Sequence, residues 1–248
     1  MRRLLALLLA TALVVTAAAC GDDGDDRPPA KNTTTVDVDG LLVNAIMRPP
    51  QNPVTGTEDL VTVLFLHGQS YSSRIWDDRK ILDPVAAAGW RAVSVDLPGY
   101  GDTPERGDEG DDGAGRGAWL RDLIDELGGP GRVVVVSPSM SGAYSLPYLE
   151  EFPSDELLGF VPVAPVGIDD FERPTDAAPI STMAVWGSED PAYTEERADH
   201  LLSQMRAPEG AAQVQLIEGA GHACYDDEPI EFTSILLSFL RSLDQRAP

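Results

Sequence analysis

Apolar residues along this 248-residue chain follow two spacings that take turns. Short runs that are continuously apolar, or alternate apolar with polar, predict strands at residues 34–38, 42–47, 61–66, 91–95, 132–136, 160–163, 183–186 and 213–217. Stretches with a helical spacing lie between or after them, at 81–89, 119–127, 142–150, 195–205 and 230–243. The first two strands form a hairpin turning at Asp39-Gly40. Residues 61–66 and 132–136 are apolar almost throughout, as strands covered on both faces must be. The alternation predicts the α/β class: a mostly parallel sheet flanked by helices on both faces. Only residues 166–180 separate two late strands, too short a span for a helical cap. No sizeable lid domain is expected, so the site should be open.

The first residues break this pattern. Arg2 and Arg3 precede an apolar or small run over 4–19 that ends at Cys20. A basic start, a short apolar stretch and small residues before a cut describe a secretory signal rather than a membrane span. Ala17-Ala18-Ala19-Cys20 resembles a bacterial lipobox, with Ala17 where Leu is usual. It implies a diacylated Cys20 at the new N-terminus of a membrane-anchored lipoprotein. Cleavage after Ala19 by an ordinary signal peptidase, leaving a secreted protein, is the alternative. Residues 21–35 are rich in Asp, Gly, Pro and Thr with little to bury, and read as a flexible tether. The organisation is a signal peptide at 1–19, lipidated Cys20 and tether at 20–35, and one domain at 36–248.

Charge narrows the partners. Against 41 acidic side chains stand 18 Lys and Arg, a formal charge of −23. That balance excludes unaided binding to nucleic acid or to an anionic membrane face. Any membrane contact runs through the N-terminal lipid, and no obligate protein partner is implied. Two cysteines exclude a disulfide scaffold and a Cys-rich zinc site, and no metal or organic cofactor is expected. Six acids against two Arg mark residues 101–117 as a solvated excursion. Together with the net charge, this segment should disfavour anionic acyl substrates.

The chemistry gathers at strand ends. Four valines, 133–136, run into Ser137-Pro138-Ser139-Met140-Ser141-Gly142 and then a helix. A strand, a tight turn of small residues and a helix form the setting of a nucleophile elbow, usually written GxSxG. Here the flanks of Ser139 are Ser137 and Ser141, small but not glycine. Ser139 is the expected nucleophile and Ser141 a second centre. Of three histidines, His222 follows the 213–217 strand within Gly219-Ala220-Gly221-His222 and is the expected base. His67 reads as structural and His200 as a surface residue. The acid should follow the 183–186 strand: Asp190, with Glu189 as the second choice. Two N–H groups, of Met140 and Gln69, are positioned for an oxyanion hole. Asp96 reads as organising a turn, Trp76, Trp90 and Trp119 as core, and Cys224 as a small buried residue.

The order Ser139, Asp190, His222 and the motifs around them resemble the α/β-hydrolase superfamily. More narrowly, Leu66-His67-Gly68-Gln69-Ser70-Tyr71-Ser72-Ser73, Asp96-Leu97-Pro98-Gly99, the Ser137–Gly142 elbow and Gly219-Ala220-Gly221-His222-Ala223-Cys224-Tyr225 resemble the α/β hydrolase domain-containing protein 14 family. The resemblance implies an α/β-hydrolase domain at 36–248. It also implies small-acyl esterase activity or lysine deacetylation with coenzyme A as acceptor. Export makes water the acceptor here. The reading is an exported serine hydrolase of small acyl esters or amides. A non-catalytic, surface-anchored binding protein on the same scaffold is the alternative.

Overall fold

A computed structural model describes residues 32–51, 61–107, 112–153 and 157–244. The predicted signal, Cys20 and most of the tether lie outside the described residues. Eight strands form one sheet: β1 (Thr33–Val38), β2 (Leu41–Arg48), β3 (Thr62–Phe65), β4 (Arg91–Val95), β5 (Val133–Pro138), β6 (Gly159–Val163), β7 (Thr182–Gly187) and β8 (Ala212–Ile217). Their order across the sheet is β1-β2-β4-β3-β5-β6-β7-β8. β1 and β2 pair antiparallel, as does β2 with β4; β4 through β8 are parallel. All eight predicted strands are present. Thr33–Thr35 pair with Asn44–Ile46 and belong to β1.

Among the described residues, seven helices cover the sheet: α1 (Arg74–Asp78), α2 (Leu82–Ala87), α3 (Gly113–Glu126), α4 (Gly142–Glu151), α5 (Glu195–Gln204), α6 (Cys224–Asp227) and α7 (Pro229–Asp244). The valine run shows why the central strands are apolar throughout. Val133 and Val135 enter one core with Trp119, Leu123 and Tyr148; Val134 and Val136 enter the other with Trp76, Phe232 and Leu236. Successive side chains of a strand point to opposite faces, so burial on both faces demands an apolar residue at every position. Trp76, Trp90 and Trp119 are core residues, as expected.

The segment after β4 differs from its reading as a solvated loop. Its start is tied down: Asp102 N–H donates to Asp96 at 2.9 Å, and buried Thr103 accepts from Asn44 N–H at 2.9 Å. Its end is helical, with α3 beginning at Gly113 behind an Asp112 cap that accepts from Gly115 N–H. Glycines at 113, 115 and 117 are weak helix formers, and their composition hid this turn. Tertiary packing overrides the propensity, because a Cβ on Gly117 would lie 2.8 Å from Tyr148 N in α4. Short α1 and α6 have too few turns to show a period and were not anticipated.

Between β6 and β7 stands a single 3-10 turn, Ile168–Asp170, rather than a cap. Buried Arg173 anchors this connection by donating to the carbonyls of Leu149, Gln204, Met205 and Ala178. Burial, aided by repulsion from Arg206, lowers its pKa to about 10. It still carries its charge at neutral pH.

Candidate active site

The C-terminal ends of β5, β7 and β8 converge on three side chains. Ser139 follows β5 at φ 48°, in the left-handed region that non-glycine residues seldom occupy. That conformation turns the chain sharply into a 3-10 turn, Ser139–Ser141, and then into α4. Val166 N–H holds the Ser139 carbonyl at 3.0 Å, fixing the turn from the neighbouring β6 connection. Ser139 Oγ lies 2.8 Å from His222 Nε2. His222 Nδ1 lies 2.9 Å from Asp190 Oδ2. The carboxylate can only accept, so Nδ1–H donates to it and Nε2 is left to accept from the serine hydroxyl.

Exposure differs along this chain of contacts. The Asp190 side chain is 1% exposed and the His222 ring 46%. Asp190 Oδ1 accepts a second bond from Ala192 N–H at 2.9 Å. Glu189, the other acid considered, is exposed. The His222 loop is held from both sides: Gly219 N–H donates to Ser188 Oγ at 2.9 Å and Gly221 N–H to Asp227 at 2.9 Å. Close approach of the β7 end to this loop requires glycine at 187, where a Cβ would run into the Ala220 carbonyl oxygen. No local pattern around Gly187 signals that contact.

Ser141 is separated from Ser139 by its surroundings. It is fully buried, donates to the Pro138 carbonyl at 2.8 Å and lies 3.1 Å from Ser137 Oγ. Ser137 in turn meets Ser145 at 2.7 Å. The serines that replace the usual elbow glycines therefore satisfy each other's hydroxyls out of contact with His222. Buried hydroxyls need such partners, since an unmade bond costs about 1–3 kcal/mol.

The two residues expected to supply oxyanion donors lie beside Ser139 in sequence or space. Gln69 lies in the turn after β3, and a Cβ on neighbouring Gly68 would stand 3.7 Å from Ser139 Cβ. Met140 lies in the turn opened by Ser139. Its sulfur accepts from Tyr100 O–H at 3.0 Å.

The remaining candidates fall into supporting positions. Fully buried His67 donates from Nδ1 to the Gly68 carbonyl and accepts Leu97 N–H at Nε2, both at 2.9 Å. Burial lowers its pKa, and the ring is a neutral bracket between two loops. Asp96 accepts from Ser73 N–H, Asn44 Nδ2 and Asp102 N–H, tying the turn before α1 and strand β2 to the loop after β4. Half-buried His200 reaches the Phe171 carbonyl at 2.9 Å, and so is more than a surface residue. Buried Cys224 has its pKa raised to about 12 by burial, then by Asp190 and Asp227, and no thiolate forms at neutral pH. Among the described residues, no group of His, Cys, Asp and Glu could hold a metal ion.

Sequence reasoning missed one part of the site. Beside Met140 opens a cleft of about 510 Å³, lined by Tyr100, Glu105, Arg106, Arg116 and Tyr144 among others. Both arginines come from the segment read as an acidic excursion. Composition could not reveal which of its charges face the site.

A strained serine at a strand–helix turn, meeting a histidine that a buried carboxylate orients, defines a protein of the α/β-hydrolase class. The alpha/beta hydrolase family matches residues 63–183. A CIB-like hydrolase from Thermoplasma acidophilum shares the fold with a TM-score of 0.68 at 24% identity, covering 85% of this chain and 97% of that one. Within the class, the chain is 41% identical over 187 residues to Homo sapiens ABHD14B, whose name proposes protein-lysine deacylase activity. That match covers 73% of this chain and 84% of the relative. Danio rerio ABHD14A is 36% identical over 190 residues, covering 73% and 65%. The chain belongs to the α/β hydrolase domain-containing protein 14 family and is a hydrolase of the α/β type.

Proposed function

We propose that this protein is an exported serine hydrolase that cleaves esters or amides of small acyl groups. The carrying observation is the continuous contact from Asp190 through His222 to Ser139, with Ser139 at φ 48°. Ser139 Oγ attacks the acyl carbonyl while His222 Nε2 takes the hydroxyl proton. Asp190 holds the ring tautomer and stabilises the imidazolium without taking the proton itself. The Met140 and Gln69 N–H groups bind the tetrahedral oxyanion, each such donor contributing about 3–4 kcal/mol. Collapse breaks the bond to the leaving oxygen or nitrogen, which receives the proton from His222. Water then attacks the acyl-enzyme with His222 as base, releasing the acid and restoring Ser139.

The deacylase name carried by ABHD14B supports acyl transfer from small groups. Export supports water as the acceptor, because coenzyme A is an intracellular carrier. Residues 1–19 serve as the signal, and diacylation of Cys20 anchors the domain outside the cytoplasm. Labelling with a fluorophosphonate tests the chemistry: the wild type should react and Ser139→Ala should not. Labelling that survives Ser139→Ala, or a wild type that never labels, refutes the nucleophile. Cys20→Ala should release the protein into the medium; undiminished membrane retention refutes the anchor. A series of nitrophenyl esters of increasing chain length should be turned over best at its short end.

A further inference from the structure

The loops that carry Gln69 and His222 leave the sheet far apart. Gln69 follows β3 and His222 follows β8, and β5, β6 and β7 stand between those strands. The two loops are nevertheless joined directly. Tyr71 O–H donates to Asp226 Oδ2 at 3.0 Å, across 155 positions of the chain. Asp226 lies in α6, which opens at Cys224, just after His222. Arg79 donates to the other carboxylate oxygen, Asp226 Oδ1.

Each partner is held at its own end. Tyr71 N–H donates to the Gly68 carbonyl at 3.0 Å, closing the turn that carries Gln69. The Tyr71 ring meets buried Tyr225 edge-on, 5.8 Å between centroids, and Tyr225 stacks on Trp76 in the core. A Cβ on Gly68 would stand 3.5 Å from the Tyr71 ring and 3.7 Å from Ser139 Cβ, so the tyrosine borders the reaction centre. Across the gap, Asp226 N–H donates to the Ala223 carbonyl at 2.7 Å, and neighbouring Asp227 accepts from Gly221 N–H. These two bonds bracket His222. Burial, then the Asp226 bond, push the Tyr71 pKa up to about 12, so its hydroxyl remains a donor at neutral pH.

We infer that Tyr71 and Asp226 are positioning residues that set the spacing between the Gln69 oxyanion donor and the His222 base. The inference rests on the serine-hydrolase reading and deepens it. Both groups must meet one tetrahedral intermediate, the donor at its oxyanion and the imidazole at the attacking or leaving atom. The sheet fixes their separation only through three intervening strands and two loops. A direct bond from a hydroxyl to an ionised carboxylate is shorter and stronger than a neutral one, and fixes that distance locally. Its loss should be felt where geometry is strictest, in the transition state rather than in substrate binding.

Tyr71→Phe keeps the ring on Tyr225 and removes only the hydroxyl. With nitrophenyl acetate it should lower kcat about tenfold and leave KM unchanged, kcat being expressed per site titrated to completion with fluorophosphonate. That normalisation removes any loss of folded protein from the comparison. Asp226→Ala should lose the same factor, since the Arg79 side chain of its other ion pair is 44% exposed and contributes little. Adding Asp226→Ala to Tyr71→Phe should cost nothing further, because both remove one bond. Asp226→Asn keeps an oxygen for the tyrosine and should recover most of the rate. An unchanged kcat in Tyr71→Phe, losses that multiply in the double variant, or an Asp226→Asn no better than Asp226→Ala overturns the positioning role. So does a loss confined to KM, which would make Tyr71 a substrate contact. In each of these outcomes the titrated, active wild type leaves the serine hydrolase standing. Wild type that neither labels nor hydrolyses the ester overturns that underlying reading instead.

Discussion

The two walls of the site are built on different principles. On one side, Asp190, His222 and Ser139 project from strand ends, and a backbone contact fixes each loop: Val166 to Ser139, Glu189 to Ala220, Ser188 to Ile217. On the other, the cleft beside Met140 takes Glu105 and Arg106 from the connection between β4 and α3, and Arg116 from α3 itself. A reaction demands sub-ångström placement, which a rigid sheet supplies. Lining a cleft tolerates more, and long side chains can supply it. The comparison teaches that the strand ends and the loop-built cleft can be altered separately in this fold.

Several substitutions probe that separation, beginning with the strongest. Ser139→Ala or His222→Ala should lower kcat by about 10⁴–10⁶-fold, measured by steady-state ester hydrolysis, since such groups act as a unit. Retention of more than a hundredth of the activity would detach the chemistry from these strand ends. Asp190→Asn should cost roughly 10³–10⁴-fold in kcat, because the amide favours the wrong imidazole tautomer. Gly187→Ala should damage both activity and stability, by about 1–3 kcal/mol in urea melts, because a Cβ there displaces the Ala220–His222 loop. An unchanged melt would mean the loop has room that the close approach denies. Ser141→Ala should leave fluorophosphonate labelling intact and cost about 1 kcal/mol through its lost bonds to Pro138 and Ser137.

The smallest expected effect concerns pH. Burial depresses the His67 pKa from its ordinary 6.5. Below that value the unfolded chain binds a proton that the folded one resists, so stability should fall as the pH drops below about 6.5 toward the depressed folded value. It should be fully present above 6.5. His67→Gln should flatten this part of the urea-midpoint profile. A slope that persists would place its origin in other groups.

Legibility followed the same division. All eight strands of the described residues were visible: the central ones because burial on two faces demands an apolar residue at each position, and β1 and β8, which are partly exposed, through alternation of apolar and polar residues. Ser139, Asp190 and His222 were readable because each lies in the turn or loop that follows a strand end. The choice between Ser139 and Ser141 was not closed by the sequence, since both are small residues in one turn. It was decided by backbone: Ser139 turns left-handed toward His222, while Ser141 sinks among Ser137, Ser145 and the Pro138 carbonyl. The first turn of α3 was missed because glycine-rich composition argues against helix, and only packing on Tyr148 permits it.

What the chain by itself determined is the class of protein and the order of its chemistry, since apolar periodicity and local turn residues encode strand ends. Tertiary structure alone decided which serine meets the histidine and why glycine is needed at 187. It also decided which charged side chains of an acidic protein line the cleft beside Met140. Those outcomes depend on distances between segments far apart in the chain. Total charge is a sum over all residues, whereas a substrate experiences the few that lie within a Debye length of it.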